Sequence, residues 1–237
     1  MAKAKPIPAC PSAPLAVNAA LPILARLSDM LAYSDLVRDP ARVQDLHSMR
    51  IAGKRLRYTI EVFSSVLDGS SDFLNLMKRI QDLLGEIHDA DVLQARLIRD
   101  MDEEGWAPGL QALLQATLVE RAALYAEFLG EWNRAMQEGF PNRLRASALG
   151  AALGEPVSPC SCADAGEEVL RAVALTALAP YAAEHASPRR ANAIRMCVQS
   201  LLALAQEPVE YRNTNPWRGV LRKEASRLFG LLARGRR

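Results

Sequence analysis

Four turn signals, Asp39-Pro40, Asp68-Gly69, Gly105 with Pro108 and Gly139 with Pro141, cut the first part of the chain into long uninterrupted segments. In none of these segments do apolar and polar residues alternate as a half-buried strand requires; apolar residues recur every three or four positions, the period of an amphipathic helix. Composition agrees, because a chain that is 50% apolar but only 5% aromatic, rich in Ala, Leu, Arg and Glu, favours helix over sheet. Long helices joined by short connections form antiparallel bundles. The expected fold class is therefore all-α.

The punctuation places the elements. Residues 1–14 read as a proline-rich disordered tail, followed by a helix from about Leu15 to Tyr33. Asp39-Pro40 reads as a helix start, with Asp as N-cap and Pro at the first helical position, and that helix is expected to reach Leu67. Gly69 then takes the left-handed cap. A third helix is expected over Asp72 to Asp102 and a fourth over Leu110 to Gln137, which makes 15–145 a helical bundle. Gly, Pro, Ser and Cys concentrate after Gly150, so 146–166 reads as a linker. Helical patterns return at Glu167 to Ala183, Pro188 to Ala205 and Trp217 to Ala233, a C-terminal extension over 167–237 that packs on or completes the bundle.

Membrane insertion is not expected. The most apolar stretch, Val169 to Ala186, is broken by Arg171, Pro180, Glu184 and His185, short of the roughly 20 residues a span needs. Lys3 and Lys5 precede a semi-apolar segment, but Pro6, Pro8, Pro11, Pro14 and Pro22 interrupt it too often for a signal peptide. Cys10, Cys160, Cys162 and Cys197 match neither a disulfide framework nor a pair of zinc-type Cys motifs. They read as free thiols in a reducing compartment, with a cytoplasmic location expected.

Whole-chain charge is uninformative: 29 basic against 27 acidic side chains leave +2. Its distribution is not. Between residues 42 and 58 five cations, Arg42, Arg50, Lys54, Arg55 and Arg57, oppose only Asp45, a local +4. Between 207 and 237 eight cations (Arg212, Arg218, Arg222, Lys223, Arg227, Arg234, Arg236, Arg237) oppose Glu207, Glu210 and Glu224, a local +5. Stepping 100° per residue, Leu46, Met49, Gly53, Leu56, Ile60 and Phe63 fall on one stripe, and His47, Arg50, Lys54, Arg57 and Tyr58 on the adjoining sector. Charge runs on helices usually only face water. Here no acidic residue stands at an i+4 pairing position before Glu61, so the cations repel one another and a polyanion would relieve that repulsion. Arginine forks are suited to phosphate oxygens, and Lys54 adds a compact charge.

The next helix carries an apolar stripe of Phe73, Met77, Ile80, Leu84, Ile87, Ala95 and Ile98, with Asp91 inside it and His88 and Gln81 at its edge. A carboxylate there needs a cation, and Arg50 or Arg57 would serve. His88 with Asp91 supplies only two ligands, too few for a metal site. On the fourth helix Leu110, Leu114, Leu118, Leu124, Tyr125, Phe128 and Trp132 share a face with Arg121 in its middle. That arginine is either buried against a carboxylate such as Asp91 or points into a polar channel.

The run Leu46-His47-Ser48-Met49-Arg50-Ile51-Ala52-Gly53-Lys54-Arg55-Leu56-Arg57-Tyr58, with Gln81-Asp82-Leu83-Leu84-Gly85-Glu86-Ile87-His88-Asp89-Ala90-Asp91-Val92 after it, resembles the conserved histidine α-helical domain (CHAD) family. Arg121 to Trp132 also resembles the family's next helix, so the likeness covers about 15–145. It implies a four-helix CHAD-like unit that binds inorganic polyphosphate without catalysis in a basic cleft or pore, and that can localise to polyphosphate granules. Carried over, the ligand contacts are His47, Arg50, Lys54, Arg55 and Arg57, with Lys78 and Arg121 as additions, while His88 and Asp91 are structural charge partners. The family usually builds its pore from two homologous halves, and no second His-x-x-Arg signature follows residue 145. The pore is then half-formed, completed by C-terminal cations (Arg189, Arg190, Arg195, Arg218, Arg222, Lys223), or completed by a second chain in a homodimer.

Two other classes compete. His47 with Arg50 and Lys54 loosely resembles a histidine phosphotransfer site, and the same basic edge suits nucleic acid, although Tyr58 is the only aromatic on it. No nucleophile–base–oxyanion set and no glycine-rich phosphate loop appears, so no catalysis, cofactor or metal is expected.

Overall fold

The computed structural model describes residues 7, 9–104, 108–164, 167–184, 186–205 and 215–233. The expected stop at Gly105, the charges at 207, 210, 212, 234, 236 and 237, and most of the first eight residues lie outside the described residues, as does the side chain of Arg218. Every described element is helical: α1 Leu15–Leu31, α2 Val43–Phe63, α3 Ser70–Glu104, α4 Pro108–Gln137, α5 Phe140–Leu153, α6 Pro159–Asp164, α7 Glu167–Glu184, α8 Pro188–Ala205 and α9 Asn215–Ala233. Short 3-10 turns at Leu36–Arg38 and Ser64–Val66 flank α2. The chain is all-α.

Several boundaries differ from the sequence reading. Asp39 does not cap α2: its Oδ1 accepts the Ala41 N–H at 2.9 Å, closing a turn, and the helix begins at Val43. The short aspartate side chain competes here for the nearest backbone donor. Residues 146–166, expected as a linker, hold the end of α5 and all of α6, because Ala and Leu from 144 to 153 outweigh Gly150 and the break falls at Gly154, in the left-handed region at φ 75°. The tail expected over 1–14 is tied down where it is described. Asn18 Oδ1 accepts the Cys10 N–H at 2.8 Å, and its amide donates to the carbonyls of Cys10 and Ala13 at 3.0 and 3.1 Å. Gly69 and Gly139 are both at φ 70°; Gly139 follows the end of α4 as expected, whereas α2, expected to reach Leu67, stops at Phe63, and the 3-10 turn Ser64–Val66 stands between it and Gly69.

The chain forms two compact units, and α1 contributes to both. One gathers Arg26–Glu61 and Ser71–Phe140; the other gathers Ala2–Ala25, Val62–Ser70 and Pro141–Arg237. In the first unit α2, α3 and α4 run antiparallel in succession. Between α2 and α3, His47 meets His88, Arg50 lies beside Gly85, and Gly53 faces Met77 and Gln81. Between α3 and α4, Arg79 pairs with Glu131, Asp91 with Arg121, and Gln94 donates to the Thr117 carbonyl. Leu46, Met49, Leu56 and Ile60 of α2 and Met77, Ile80, Leu84 and Ile87 of α3 are all buried. At 1.5–3 kcal/mol per fully buried side chain of this size, these eight alone contribute about 10–25 kcal/mol before conformational entropy is set against them.

In the second unit α7, α8 and α9 pack pairwise on one another. Leu175, Leu178, Ile194, Cys197 and Leu228 are buried among them. All four cysteines are free, and burial pushes the Cys162 and Cys197 thiols up, which leaves both poor nucleophiles. Two cations considered as completing a pore are held inside this unit. Arg190 donates twice to the Leu231 carbonyl, at 3.0 and 2.7 Å, and Arg222 pairs with Glu168 at 2.7 Å. Arg189, Arg195 and Lys223 are exposed. Among the described residues, no helix is long and apolar enough to cross a membrane.

Candidate functional site

The core stripe of α2 fixes what its neighbouring face can do. With Leu46, Met49, Gly53, Leu56, Ile60 and Phe63 all buried, the residues one step around the helix border the seam with α3. His47, Arg50, Lys54 and Arg57 follow one another at spacings of three, four and three, so they share a face. On α3 each step forward along α2 is matched by a step back: His88 opposite His47, Gly85 beside Arg50, Gln81 at Gly53. By helical spacing Lys78, three residues before Gln81, continues the face of α3 that carries His88, Gly85 and Gln81. From His47 to Arg57 the line is about 15 Å long. Arg55 steps off it by one residue; it is half-buried, and its carbonyl accepts the Thr59 hydroxyl at 2.8 Å.

The Arg50 guanidinium lies against α3 at Gly85: a Cβ built there would be 3.8 Å from Arg50 Nε and 4.0 Å from its Nη2, ordinary contact distances.

The cations of the line differ in how far they are neutralised. Arg57 pairs with Glu61 at 3.2 Å, the first carboxylate within helical reach. Arg50, Lys54 and Lys78 have no carboxylate partner among the described residues. Lys54 and Arg57 instead flank one ring: Lys54 Nζ lies 5.7 Å and Arg57 Cζ 4.9 Å from the centroid of Tyr58. The ring quadrupole holds two like charges near each other that would otherwise separate. Tyr58→Ala is expected to destabilise the chain by about 1 kcal/mol in urea unfolding, and Tyr58→Phe, which keeps the ring, by less than half of that. The sequence places Tyr58 on this face, but its service to both cations depends on their rotamers.

Unfilled hydrogen-bonding capacity concentrates on the same seam. Six buried side-chain polar atoms lack a partner among the described residues, and three of them, His47 Nδ1, Arg57 Nε and Gln81 Nε2, border the α2–α3 line. Buried polar atoms are normally satisfied, since leaving one unpaired costs about 1–3 kcal/mol. Arg57 Nε and Gln81 Nε2 can only donate, so an acceptor is what would satisfy them, and an anion is one species that supplies it.

At one end of the line the His47 and His88 rings lie 4.4 Å apart, centroid to centroid, tilted by 37°. Burial pushes His47 below the ordinary histidine range, and the proximity of His88 and Arg50 pushes it the same way. Without a ligand its imidazole is neutral at pH 7. Because its folded value lies below the unfolded one, stability is intact above about pH 6.5 and declines as pH falls through the folded value.

Asp91 and Arg121 depart from expectation together. Asp91 lies on the α3 stripe as read, but its partner is Arg121 of α4 and not Arg50 or Arg57. Arg121 Nε donates to Asp91 Oδ1, and Nη2 to the Pro40 carbonyl at 2.9 Å. Of the two readings left open for Arg121, the buried pair holds. The stripe also shifts beyond Ile87: Ala90, Leu97 and Met101 are buried, whereas Ala95 is exposed and Ile98 is 51% exposed. On α4 the buried face runs through Thr117, Tyr125, Phe128, Trp132 and Ala135; Leu118, expected on it, is exposed. Tyr125 donates its hydroxyl to the Val37 carbonyl at 3.0 Å, and burial pushes its phenol up.

Among the described residues, no group of three His, Cys, Asp or Glu side chains is arranged to hold a metal ion. The family model of the CHAD domain matches residues 2–98, a span that contains α1, α2 and most of α3, and so the whole His47-to-Lys78 line, but not α4. CHAD domains are associated with polyphosphate-related proteins. No curated protein and no solved structure matches the chain.

Proposed function

We propose that this chain, which belongs to the CHAD family through residues 2–98, binds inorganic polyphosphate along the α2–α3 seam without transforming it, and by that contact is recruited to polyphosphate granules. One observation carries the reading. Three cations without carboxylate partners, Arg50, Lys54 and Lys78, share a seam with the buried and unpartnered donors Arg57 Nε and Gln81 Nε2. A linear polyanion meets all of these at once. Arg50 and Arg57 supply forked donors, Lys54 and Lys78 supply point charges, and the histidine pair closes one end. Arg55 borders the line and contributes to the local field. Arg121, held by Asp91, contributes by fixing α4 against α3.

Such binding depends steeply on salt. Flexible single strands lose about 0.7, and duplexes about 0.9, in the log–log slope for each phosphate neutralised. With four cations on the line the expected slope is about −3, so that affinity falls about a thousandfold for a tenfold rise in salt. Titration of the full chain with long-chain polyphosphate at 50, 150 and 500 mM salt measures it, the concentrations spanning about one such decade. A slope near zero, or no binding at the lowest salt, overturns the reading.

Single-stranded nucleic acid at matched phosphate is expected to compete weakly. Base stacking needs an open aromatic face, and Tyr58, the aromatic of this line, already has Lys54 and Arg57 over its ring. Equal displacement by nucleic acid would make the site a general polyanion surface instead.

A further inference from the structure

We propose that His47 and His88, with Arg50 beside them, form one phosphate subsite of this line whose filling takes up a proton, so that polyanion binding is coupled to pH; the inference rests on the polyphosphate reading above. The geometry is the starting point. Two imidazoles 4.4 Å apart next to a guanidinium cannot both be charged without strong repulsion, and His47 Nδ1 is buried without a partner.

The charges that act on His47 are His88 and Arg50, with no carboxylate among them. On α3, Asp91 is bound by Arg121 of α4, and Glu86 and Asp89 are exposed. On α2, Asp45 is bound by Arg42 at 2.8 Å. The charges that α1 brings to this unit, Arg26 and Asp29, pair with each other at 3.0 Å, and the segment before α2 turns Arg38 and Asp39 toward Tyr125. His47 is therefore held toward neutrality, first by its burial and then by His88 and Arg50 beside it.

A phosphate oxyanion reverses the balance. It offers an acceptor to the ring nitrogens and a negative charge beside them, and both favour the protonated imidazole. The proton comes from solvent and lies on the imidazole side of an N–H···O contact; no bond to phosphorus forms or breaks. By linkage, if filling the site adds one proton, affinity rises by up to about tenfold per pH unit as pH falls through the titrating window. Interior phosphates of a long chain carry no group that titrates near neutrality, so the proton belongs to the protein.

Calorimetric titration of the full chain with long-chain inorganic polyphosphate at pH 7, in two buffers of different ionisation enthalpy, counts the protons taken up. Close to one is expected for the native chain. His47→Gln and His88→Gln are each expected to bind more weakly and take up none, with thermal unfolding confirming that they fold. Arg57→Gln is expected to bind more weakly but keep the proton. Tight binding without proton uptake by the native chain overturns this inference and leaves polyphosphate binding standing, and so does uptake that persists in both histidine variants. Absence of binding in either buffer overturns both.

Discussion

Reversing Lys54 and Arg57 to glutamate together is expected to abolish polyphosphate binding while leaving the helical circular dichroism of the chain unchanged. Hydrogen bonds to charged groups contribute about 1.5–3 kcal/mol each, so losing two lowers affinity by about 10² to 10⁴-fold before the new repulsions are added. The fold should tolerate the change. Lys54 is exposed and touches no carboxylate among the described residues, so its reversal leaves no group of opposite charge stranded. Arg57 is different, because a carboxylate introduced at its position would face Glu61 one turn away, where like charges cost about 0.2–0.5 kcal/mol, and both cation–ring contacts to Tyr58 disappear. The expected stability loss is about 1–2 kcal/mol. Arg96→Glu is the control: Arg96 is 76% exposed on α3, pairs with Asp100 and lies away from the line, so its reversal should change affinity less than about threefold at physiological salt. If the double reversal instead melts the helices, Lys54 and Arg57 belong to the fold and not to a ligand.

How much of this is legible in the sequence depends on how local each determinant is. The face of α2 can be read residue by residue, because one run of periodic apolar positions decides both the buried stripe and the sector beside it. The absence of an acidic residue at an i+4 position before Glu61 is equally local, and Arg57–Glu61 forms at that spacing, while Asp45 pairs at i+3 with Arg42. The start of α2 escapes a local reading because two signals compete at Asp39: an N-cap and a turn closed onto Ala41 both use the same carboxylate, and only the surrounding fold selects one. Arg121, which holds the Pro40 carbonyl from another helix, is part of that selection.

The pairings between helices are out of reach for a different reason. A stripe states that Asp91 needs a cation, but which cation arrives depends on the register of α3 against α4, fixed by many contacts at once. The histidine contact is of the same kind. His47 and His88 are each visible as residues at an edge, yet their 4.4 Å approach follows from the register of α2 against α3, which no single residue states. The α3 stripe fails only after Ile87. There the nearest neighbour becomes α4, and a direction extrapolated from Phe73 and Met77 no longer points at the core.

The Asp91–Arg121 pair gives the largest expected effect on stability. Their side chains are only 10% and 12% exposed, so solvent does little to screen them, and removing one partner leaves the other charge buried. Asp91→Ala is expected to cost about 3–5 kcal/mol in urea unfolding, because the Arg121 guanidinium would keep only the Pro40 carbonyl. Asp91→Asn retains an acceptor without the charge and should fall between native and Asp91→Ala. Replacing both partners, Asp91→Leu with Arg121→Met, removes the stranded charge and should be more stable than Asp91→Ala by at least about 1 kcal/mol, a coupling that isolates the pair. The same double variant separates two roles for Arg121. If the arginine serves only to clamp α4 onto α3, polyphosphate affinity at fixed salt stays within about twofold of native once the protein is folded, because no cation of the His47-to-Lys78 line has changed. An affinity loss of tenfold or more would make Arg121 a ligand contact and extend the anion path from the α2–α3 seam onto α4.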